Sequence, residues 1–223
     1  MKGLIRVFVI AFSFIFVISC QKEETAKSEI FYGYAYAPLK VGQEQIFKID
    51  SIIFNEFTAQ KDTLVLFQKR TLIDSFTSED GHLIYRLKIE ERFSDSLPWR
   101  EKRMDKLFRN DICFELTTDN IPKIALVFPI SNNISWNANV LNTEAEQQYT
   151  YKNVNQSFFF NGKNYDSTLT VVQMQEENLI EKHYTTERYA NNLGLFFRKD
   201  INLRTTFDGD TISGYICQWT LLD

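Results

Sequence analysis

The segment FFFNGKNYDSTLTV, residues 158–171, contains the turn signal that decides the fold. Asn161 and Gly162 stand between two runs rich in aromatic and β-branched residues, which are typical of strands. A two-residue type I′ turn needs positive φ at both central positions, and Asn followed by Gly tolerates this conformation well. The segment therefore predicts a β-hairpin. Two cross-strand pairs define its register: Phe160 with Lys163, and Phe158 with Tyr165.

Two other segments alternate between apolar and polar residues with the period of two that indicates a half-buried strand. They are residues 83–90 and residues 195–203. We expect the apolar face of each strand to point inward and its polar face to point outward. The expected inward residues are Leu83, Tyr85, Leu87, Ile89, Leu195, Phe197, Ile201 and Leu203, and the expected outward residues of the second strand are Arg198, Asp200 and Asn202.

Short turn signals separate many such segments, as expected for an antiparallel protein. They include Asp80-Gly81, Asp208-Gly209 and Asp119-Asn120. Residues 143–150 and 177–190 are the plausible helices, although the second segment could equally be a strand. We predict an all-β fold of roughly eight to eleven strands, arranged as a sandwich or as a strongly curved, half-open barrel with few short helices.

The first nineteen residues have the three parts of a secretory signal peptide. Lys2 and Arg6 give a positive start, residues 7–18 are almost wholly apolar, and a small residue precedes Cys20. The ending resembles a bacterial lipobox. This resemblance implies that residues 1–19 are removed and that Cys20 carries the acyl chains, of the palmitate type, that anchor the protein to a membrane; two or three chains are enough for stable anchoring.

The residues after the cysteine predict a polar stalk followed by one domain. Residues 20–35 begin as CQKEETAKSE and show no apolar periodicity, whereas residues 36–223 carry the strand signals. Lipoprotein export signals lie directly after the lipidated cysteine. In this chain the signal comprises Gln21, Lys22, Glu23 and Glu24, and it resembles the lysine-then-acidic signal that sends lipoproteins of Bacteroidota to the outer face of the outer membrane.

Three segments resemble small uncharacterised lipoproteins of Bacteroidota. They are YAPLKVGQEQIFKIDSII (36–53), LVFPISNNISWNANV (126–140) and ERYANNLGLFFRKD (187–200). Gln45 and Phe47 depart from the pattern, because relatives often have tryptophan and tyrosine there. The resemblance implies an envelope location and a β-rich domain, and it assigns no activity.

The charge balance and the motifs exclude several function classes. The chain has 25 Lys and Arg residues against 29 Asp and Glu residues, without a basic patch, so we expect no nucleic-acid partner. His82 and His183 have no second ligand at zinc-binding spacing, and we expect neither a metal site nor a cofactor. No nucleophile elbow, P-loop or dinucleotide fingerprint occurs in the sequence. We therefore expect a protein that is not an enzyme.

Two functions remain for a membrane-anchored, non-catalytic protein of this kind. In the first, it is a surface-exposed binding or structural module, and Trp99 and Trp136 in polar, turn-like surroundings contact a glycan, a peptide or an envelope protein. These two rings could instead fold back to cover the end of the sheet. In the alternative function, the concave side of a half-barrel carries an apolar ligand.

The export signal makes a testable prediction. Replacing Lys22, Glu23 and Glu24 with alanine should leave the lipidation of Cys20 intact but hold the protein on the periplasmic side. Protease added to whole cells should then digest the wild type and spare the variant. Equal digestion of the two proteins would mean that these charges only solvate the stalk.

Overall fold

The computed structural model describes residues 31–58 and 60–222, within a compact unit that comprises residues 31–223. The predicted signal peptide, the lipidation site at Cys20 and the export signal lie outside the described residues. Within the described residues, one 3₁₀ turn at Tyr34–Tyr36 precedes the strands. The strands are β1 (Glu44–Phe54), β2 (Lys61–Thr77), β3 (Leu83–Arg92), β4 (Arg100–Arg109), β5 (Cys113–Thr118), β6 (Ile121–Val127), β7 (Ser135–Asn137), β8 (Gln148–Phe160), β9 (Lys163–Glu177), β10 (Glu181–Ala190), β11 (Gly194–Thr205) and β12 (Thr211–Leu221).

All twelve strands belong to one antiparallel sheet that is nearly closed into a barrel. The sheet order is β6-β5-β4-β3-β2-β1-β12-β11-β10-β9-β8-β7. Strands that are consecutive in the chain are therefore neighbours, except β6 and β7, and the first and last strands pair with each other. The all-β prediction is confirmed, with the barrel alternative rather than the sandwich. The predicted strand number was too low, partly because β7 has only three residues.

The hairpin predicted from residues 158–171 forms with the expected register. Phe158 lies opposite Tyr165 and Phe160 lies opposite Lys163. The turn residues Asn161 and Gly162 have φ values of 54° and 80°, as a type I′ turn requires. Of the two possible helices, residues 181–190 form strand β10, and residues 143–147 form a loop before β8.

A small set of hydrogen bonds joins the sheet across the gap between β6 and β7. The amide of Ile124 donates to the carbonyl of Ala138 at 2.9 Å, and Nε1 of Trp136 donates to the carbonyl of Ile124 at 2.9 Å. The hydroxyl of Tyr151, from β8, donates to the carbonyl of Val127 at 2.9 Å and accepts from its amide at 2.8 Å. β6 is an edge strand of the sheet. These bonds satisfy backbone groups of β6 that have no partner in a neighbouring strand.

Residues 31–35 belong to the folded unit, although we assigned them to the stalk. The amide of Ile130 donates to the carbonyl of Tyr32 at 3.2 Å, and the Tyr34 ring packs edge-on against Phe128 at 4.8 Å between centroids. Arg109 Nη1 also donates to the carbonyl of Tyr34 at 3.1 Å. The polar composition of the preceding stretch concealed these contacts. Among the described residues, no helix is long and apolar enough to span a membrane.

Tyr151 provides a test of the closure. Its ring is fully buried, and its hydroxyl bonds both backbone groups of Val127. Tyr151→Phe leaves that amide and carbonyl unsatisfied, and it should lower the free energy of unfolding by about 2 kcal/mol, measured by urea denaturation. The control is Tyr32→Phe at an exposed ring, which should change stability by less than about 0.5 kcal/mol. Equal effects would exclude a stabilising role for the Tyr151 hydroxyl.

Candidate functional site

The inward side chains do not fill the interior of the sheet. They leave a cavity of about 170 Å³, which we call the interior cavity. Five apolar side chains from β2 to β5 line one side of it, and we call them the apolar wall. The apolar wall comprises Leu72, Leu87, Leu107, Phe114 and Leu116. Strand alternation produces this surface, since Leu72 lies opposite Leu87 in the register and Leu107 lies opposite Leu116.

A second, more polar space of about 280 Å³ adjoins the interior cavity. The two spaces share the lining residues Lys123, Tyr149, Gln173 and Arg198. The lining of the second space also includes His183, Thr185, Asp200 and Asn202. The interior of the sheet therefore has an apolar region and a polar region in continuity.

The polar region corrects the orientation predicted for β11. We expected Arg198, Asp200 and Asn202 to face outward, but Arg198 lines the interior cavity and Asp200 lines the adjoining polar space. Asn202 also borders that space but is exposed, as expected, and Leu203 is buried, as expected. Phe197, which we expected inside, packs instead against Phe160 at 5.0 Å between ring centroids, in a separate cluster with the β8–β9 hairpin. The prediction failed because it assumed that the interior is apolar throughout. On β3 the same rule succeeded in part, because Leu87 lines the interior cavity and Ile89 is fully buried, whereas Leu83 at the start of the strand is exposed.

A buried ion pair connects β10 and β11. Glu187 is 7% exposed, and its Oε1 accepts from Arg198 Nη1 at 3.2 Å. Its Oε2 accepts from the hydroxyl of Tyr189 at 2.6 Å. Burial opposes the charge of Arg198, but the carboxylates of Glu187 and Asp200 outweigh burial and raise its pKa. Burial and the Glu187 carboxylate together raise the pKa of Tyr189 far above its ordinary value. Each carboxylate oxygen of Glu187 therefore accepts a hydrogen bond.

Arg70 lines the interior cavity and also contacts Gln68, Phe47 and Trp219. Its Nε donates to Gln68 Oε1 at 2.9 Å. The guanidinium carbon lies 5.0 Å from the ring centre of Phe47 and 4.8 Å from that of Trp219, which are cation–π distances. Burial lowers the pKa of Arg70 to about 10, and repulsion from Arg198 opposes the attraction of Glu187. Arg70 is thus still charged at neutral pH.

The charge of Arg70 has no carboxylate partner among residues 31–58 and 60–222. No ion pair within 4.0 Å involves Arg70 there, and no described group accepts a hydrogen bond from its Nη1 or Nη2 atoms. The solvent-accessible surface that Arg70 retains lines the interior cavity. An arginine so placed presents a cationic, two-donor edge to whatever occupies that space.

Two further polar side chains are buried against the same space without a partner in the described chain. Gln173 is 7% exposed and Tyr149 is 6% exposed, and both line the two interior spaces. Neither the amide of Gln173 nor the hydroxyl of Tyr149 bonds another described group. Burial raises the pKa of Tyr149, so its hydroxyl keeps its proton and can donate.

The two tryptophans proposed as ligand contacts lie in different environments. Trp136 is 9% exposed and packs 4.5 Å from the Tyr151 ring, which agrees with the alternative in which the ring folds back onto the sheet. Its indole N–H is used in closing the sheet. Trp99 is half-buried, with the Arg92 guanidinium carbon 4.4 Å and Lys69 Nζ 5.0 Å from its ring centre. Contact of Trp99 with a glycan or peptide stays a prediction.

The sequence reading did not identify the residues that form the interior site. Arg70, Tyr149, Gln173 and Glu187 each lie in a strand and match no catalytic or binding motif. A usable signal is present in β2, where Gln68 and Arg70 interrupt an inward face that continues as Leu72. Polar residues at the inward-facing positions of a strand indicate that part of the interior is polar.

The chain was compared with family models, curated proteins and solved structures. No family model and no curated protein sequence matches it. A solved structure with a resembling fold is a protein of Bacteroides fragilis, described as exported and as having a YmcC-like fold. It is 9% identical, with 87% of this chain and 100% of that chain covered and a TM-score of 0.42. We base no assignment on this likeness.

The two interior arginines make opposite predictions for stability. Arg198→Met leaves the carboxylate of Glu187 buried without its cation, and it should lower the free energy of unfolding by about 3 kcal/mol. Arg70→Met removes a buried charge that has no carboxylate partner, and the loss of its ring contacts offsets part of the gain. Its stability should stay within about 1 kcal/mol of the wild type. Urea denaturation measures both values, and equal large losses would contradict the difference in pairing.

Proposed function

We propose that this protein is a non-catalytic, lipid-anchored envelope protein that binds a small molecule inside its curved sheet. The observation that carries the proposal is the unfilled interior, with an apolar wall facing a polar region. Of the two functions considered from the sequence, this is the carrier of an apolar ligand. A surface module built on Trp99 and Trp136 has less support, because Trp136 is buried.

The size of the cavity supports a role in binding. A space of about 170 Å³ beside the apolar wall lacks packing contacts that larger side chains would supply, and their absence lowers stability. Substitution of a small lining residue such as Ala125 by a larger one would recover part of this stability. Retaining the space is reasonable when a ligand fills it. An apolar cavity of about 150 Å³ is large enough to hold benzene.

The chemistry of the lining favours binding over catalysis. Its polar groups are hydrogen-bond donors and an ion pair, and such groups orient a ligand. A catalytic acid or base needs a carboxylate or imidazole that is free to exchange a proton with a substrate. Glu187, the carboxylate of the interior cavity, is engaged by Arg198 and Tyr189. We therefore propose a carrier or receptor that does not change its ligand chemically.

The location remains part of the proposal and rests on the sequence. We propose that Cys20 carries the lipid anchor and that Gln21, Lys22, Glu23 and Glu24 direct the protein to the outer face of the outer membrane. Its macromolecular partner would be the membrane, reached through the anchor. A carrier at that position could hold a molecule taken up from outside the cell.

Filling the cavity tests the function. Ala125→Phe places a ring in the interior cavity, should abolish binding and should raise the free energy of unfolding by about 1 kcal/mol. The control is Val65→Phe, which adds the same ring at an exposed position of β2. Full-length protein is released from cell membranes with a styrene–maleic acid copolymer, so that no detergent competes for the cavity. Mass spectrometry then identifies the small molecules bound to each variant.

We expect a small molecule that accompanies the wild type and Val65→Phe and is missing from Ala125→Phe. The absence of any such molecule from the wild type would contradict the proposed function, as would its equal retention by all three proteins.

A further inference from the structure

The free edge of Arg70 indicates which chemical group the interior cavity receives. The guanidinium carbon lies over the rings of Phe47 and Trp219, and Nε donates to Gln68. These contacts fix the orientation of the side chain. The remaining edge carries Nη1 and Nη2, whose parallel N–H groups match the two oxygens of a carboxylate or the oxygens of a phosphate.

The cations around the interior cavity differ in their pairing. Among the described residues that line it, Arg70, Lys123 and Arg198 are cations and Glu187 is the anion. Arg198 is paired with Glu187 and with Asp200 of the adjoining polar space, and Lys123 Nζ lies 3.1 Å from a carboxylate oxygen of Glu144. Arg70 is the cation of this lining that has no described carboxylate within 4.0 Å. A half-buried charge gains from an anionic partner, which a ligand in the cavity can supply.

Tyr149 and Gln173 add hydrogen-bond donors where the interior cavity meets the polar space. Both side chains are more than nine-tenths buried, but their polar atoms keep some accessible surface and bond no other described group. Such groups bond ordered water or a bound molecule. Two of them beside the free edge of Arg70 fit a bound molecule that is rich in acceptors.

We propose that the ligand is a small amphipathic carboxylate, with its carboxylate on the Nη edge of Arg70 and its apolar body against the apolar wall. This inference rests on the proposed function. Leu72 follows Arg70 by two residues on the inward face of β2, so the charged site adjoins the apolar wall directly. A molecule with an anionic group next to an apolar body fits this arrangement of Arg70 beside the apolar wall.

The single uncompensated charge favours a carboxylate over a phosphate. A carboxylate is a monoanion with two oxygens that can accept about four hydrogen bonds. Arg70 can supply two of these, and Tyr149 and Gln173 offer further donors. A phosphate monoester carries nearly two charges at neutral pH and would bring a third terminal oxygen into the site. The cavity volume suits an apolar body of roughly six to ten non-hydrogen atoms.

Calorimetric titration of the full-length protein in phosphatidylcholine nanodiscs tests the inference, with empty nanodiscs subtracted. The probes are hexanoate, hexan-1-ol and hexyl phosphate, which share one chain and differ in the polar group. Charge-assisted hydrogen bonds should make hexanoate bind about 10- to 100-fold more tightly than hexan-1-ol. Hexanoate should also bind more tightly than hexyl phosphate.

Substitutions at Arg70 locate the carboxylate. Arg70→Met should remove the preference for hexanoate over hexan-1-ol, and Arg70→Lys should keep only part of it, because an ammonium group lacks the two-donor edge. The control is Arg86→Met, which removes an exposed arginine that pairs with Asp74 and leaves the interior unchanged. Urea unfolding of each variant checks that it folds, and Arg70→Lys serves as the test if Arg70→Met does not fold.

The outcomes separate the inference from the proposed function. Equal affinity of the wild type for hexanoate and hexan-1-ol would support an interior binding site and overturn the carboxylate. Tighter binding of hexyl phosphate would likewise overturn the choice of carboxylate. A preference for hexanoate that persists in Arg70→Met and Arg70→Lys would overturn the assignment to Arg70. Binding of none of the three probes would contradict the inference and the proposed function together.

Discussion

A curved sheet of twelve strands encloses more volume than its inward side chains can fill. In small barrels the diameter grows with the number of strands, and about eight strands give an interior that side chains can just occupy. Here some of the largest residues, including Tyr36, Phe47 and Tyr151, are fully buried, and the space still remains incompletely filled. The interior cavity is thus a consequence of strand number. The closure between β6 and β7 preserves it, because Trp136 and Tyr151 replace the missing strand pairing.

The same geometry determines where polar groups can lie inside. A strand that crosses the interior contributes every second residue, so Arg70 and Leu72 reach the same space from one strand. Opposite strands contribute Glu187 and Arg198, which compensate each other. Arg70 lacks such a partner. Its positive charge therefore faces the interior cavity without a neighbouring carboxylate. The unfilled space and the unpaired cation are adjacent, which distinguishes this interior from an ordinary packing defect.

Much of the fold could be predicted from local sequence signals, and the site could not. The Asn161-Gly162 turn fixed a hairpin and its register because two positive φ angles suit few other residue pairs. The alternation rule then placed Leu87 correctly and Arg198 incorrectly, since it reads polarity as exposure. The sequence left the exposure of Trp136 open for a related reason. Its neighbours Asn137 and Asn139 use their side chains to bond the following loop, as in the 2.6 Å bond from Asn139 Nδ2 to the carbonyl of Ala145, and they do not indicate exposure.

The energetics of the interior link the stability of the fold to its ligand. The cavity lacks packing contacts, and the Nη edge of Arg70 and the polar atoms of Tyr149 and Gln173 have no described partner, so the unliganded protein has two separate deficits in one place. Filling the cavity with an apolar side chain would remove the first deficit and leave the second. Pairing Arg70 with a carboxylate side chain would remove the second and leave much of the first. A small molecule that carries both an anionic group and an apolar body removes both. Its binding to the folded state alone then stabilises the sheet in proportion to the logarithm of its concentration above the dissociation constant.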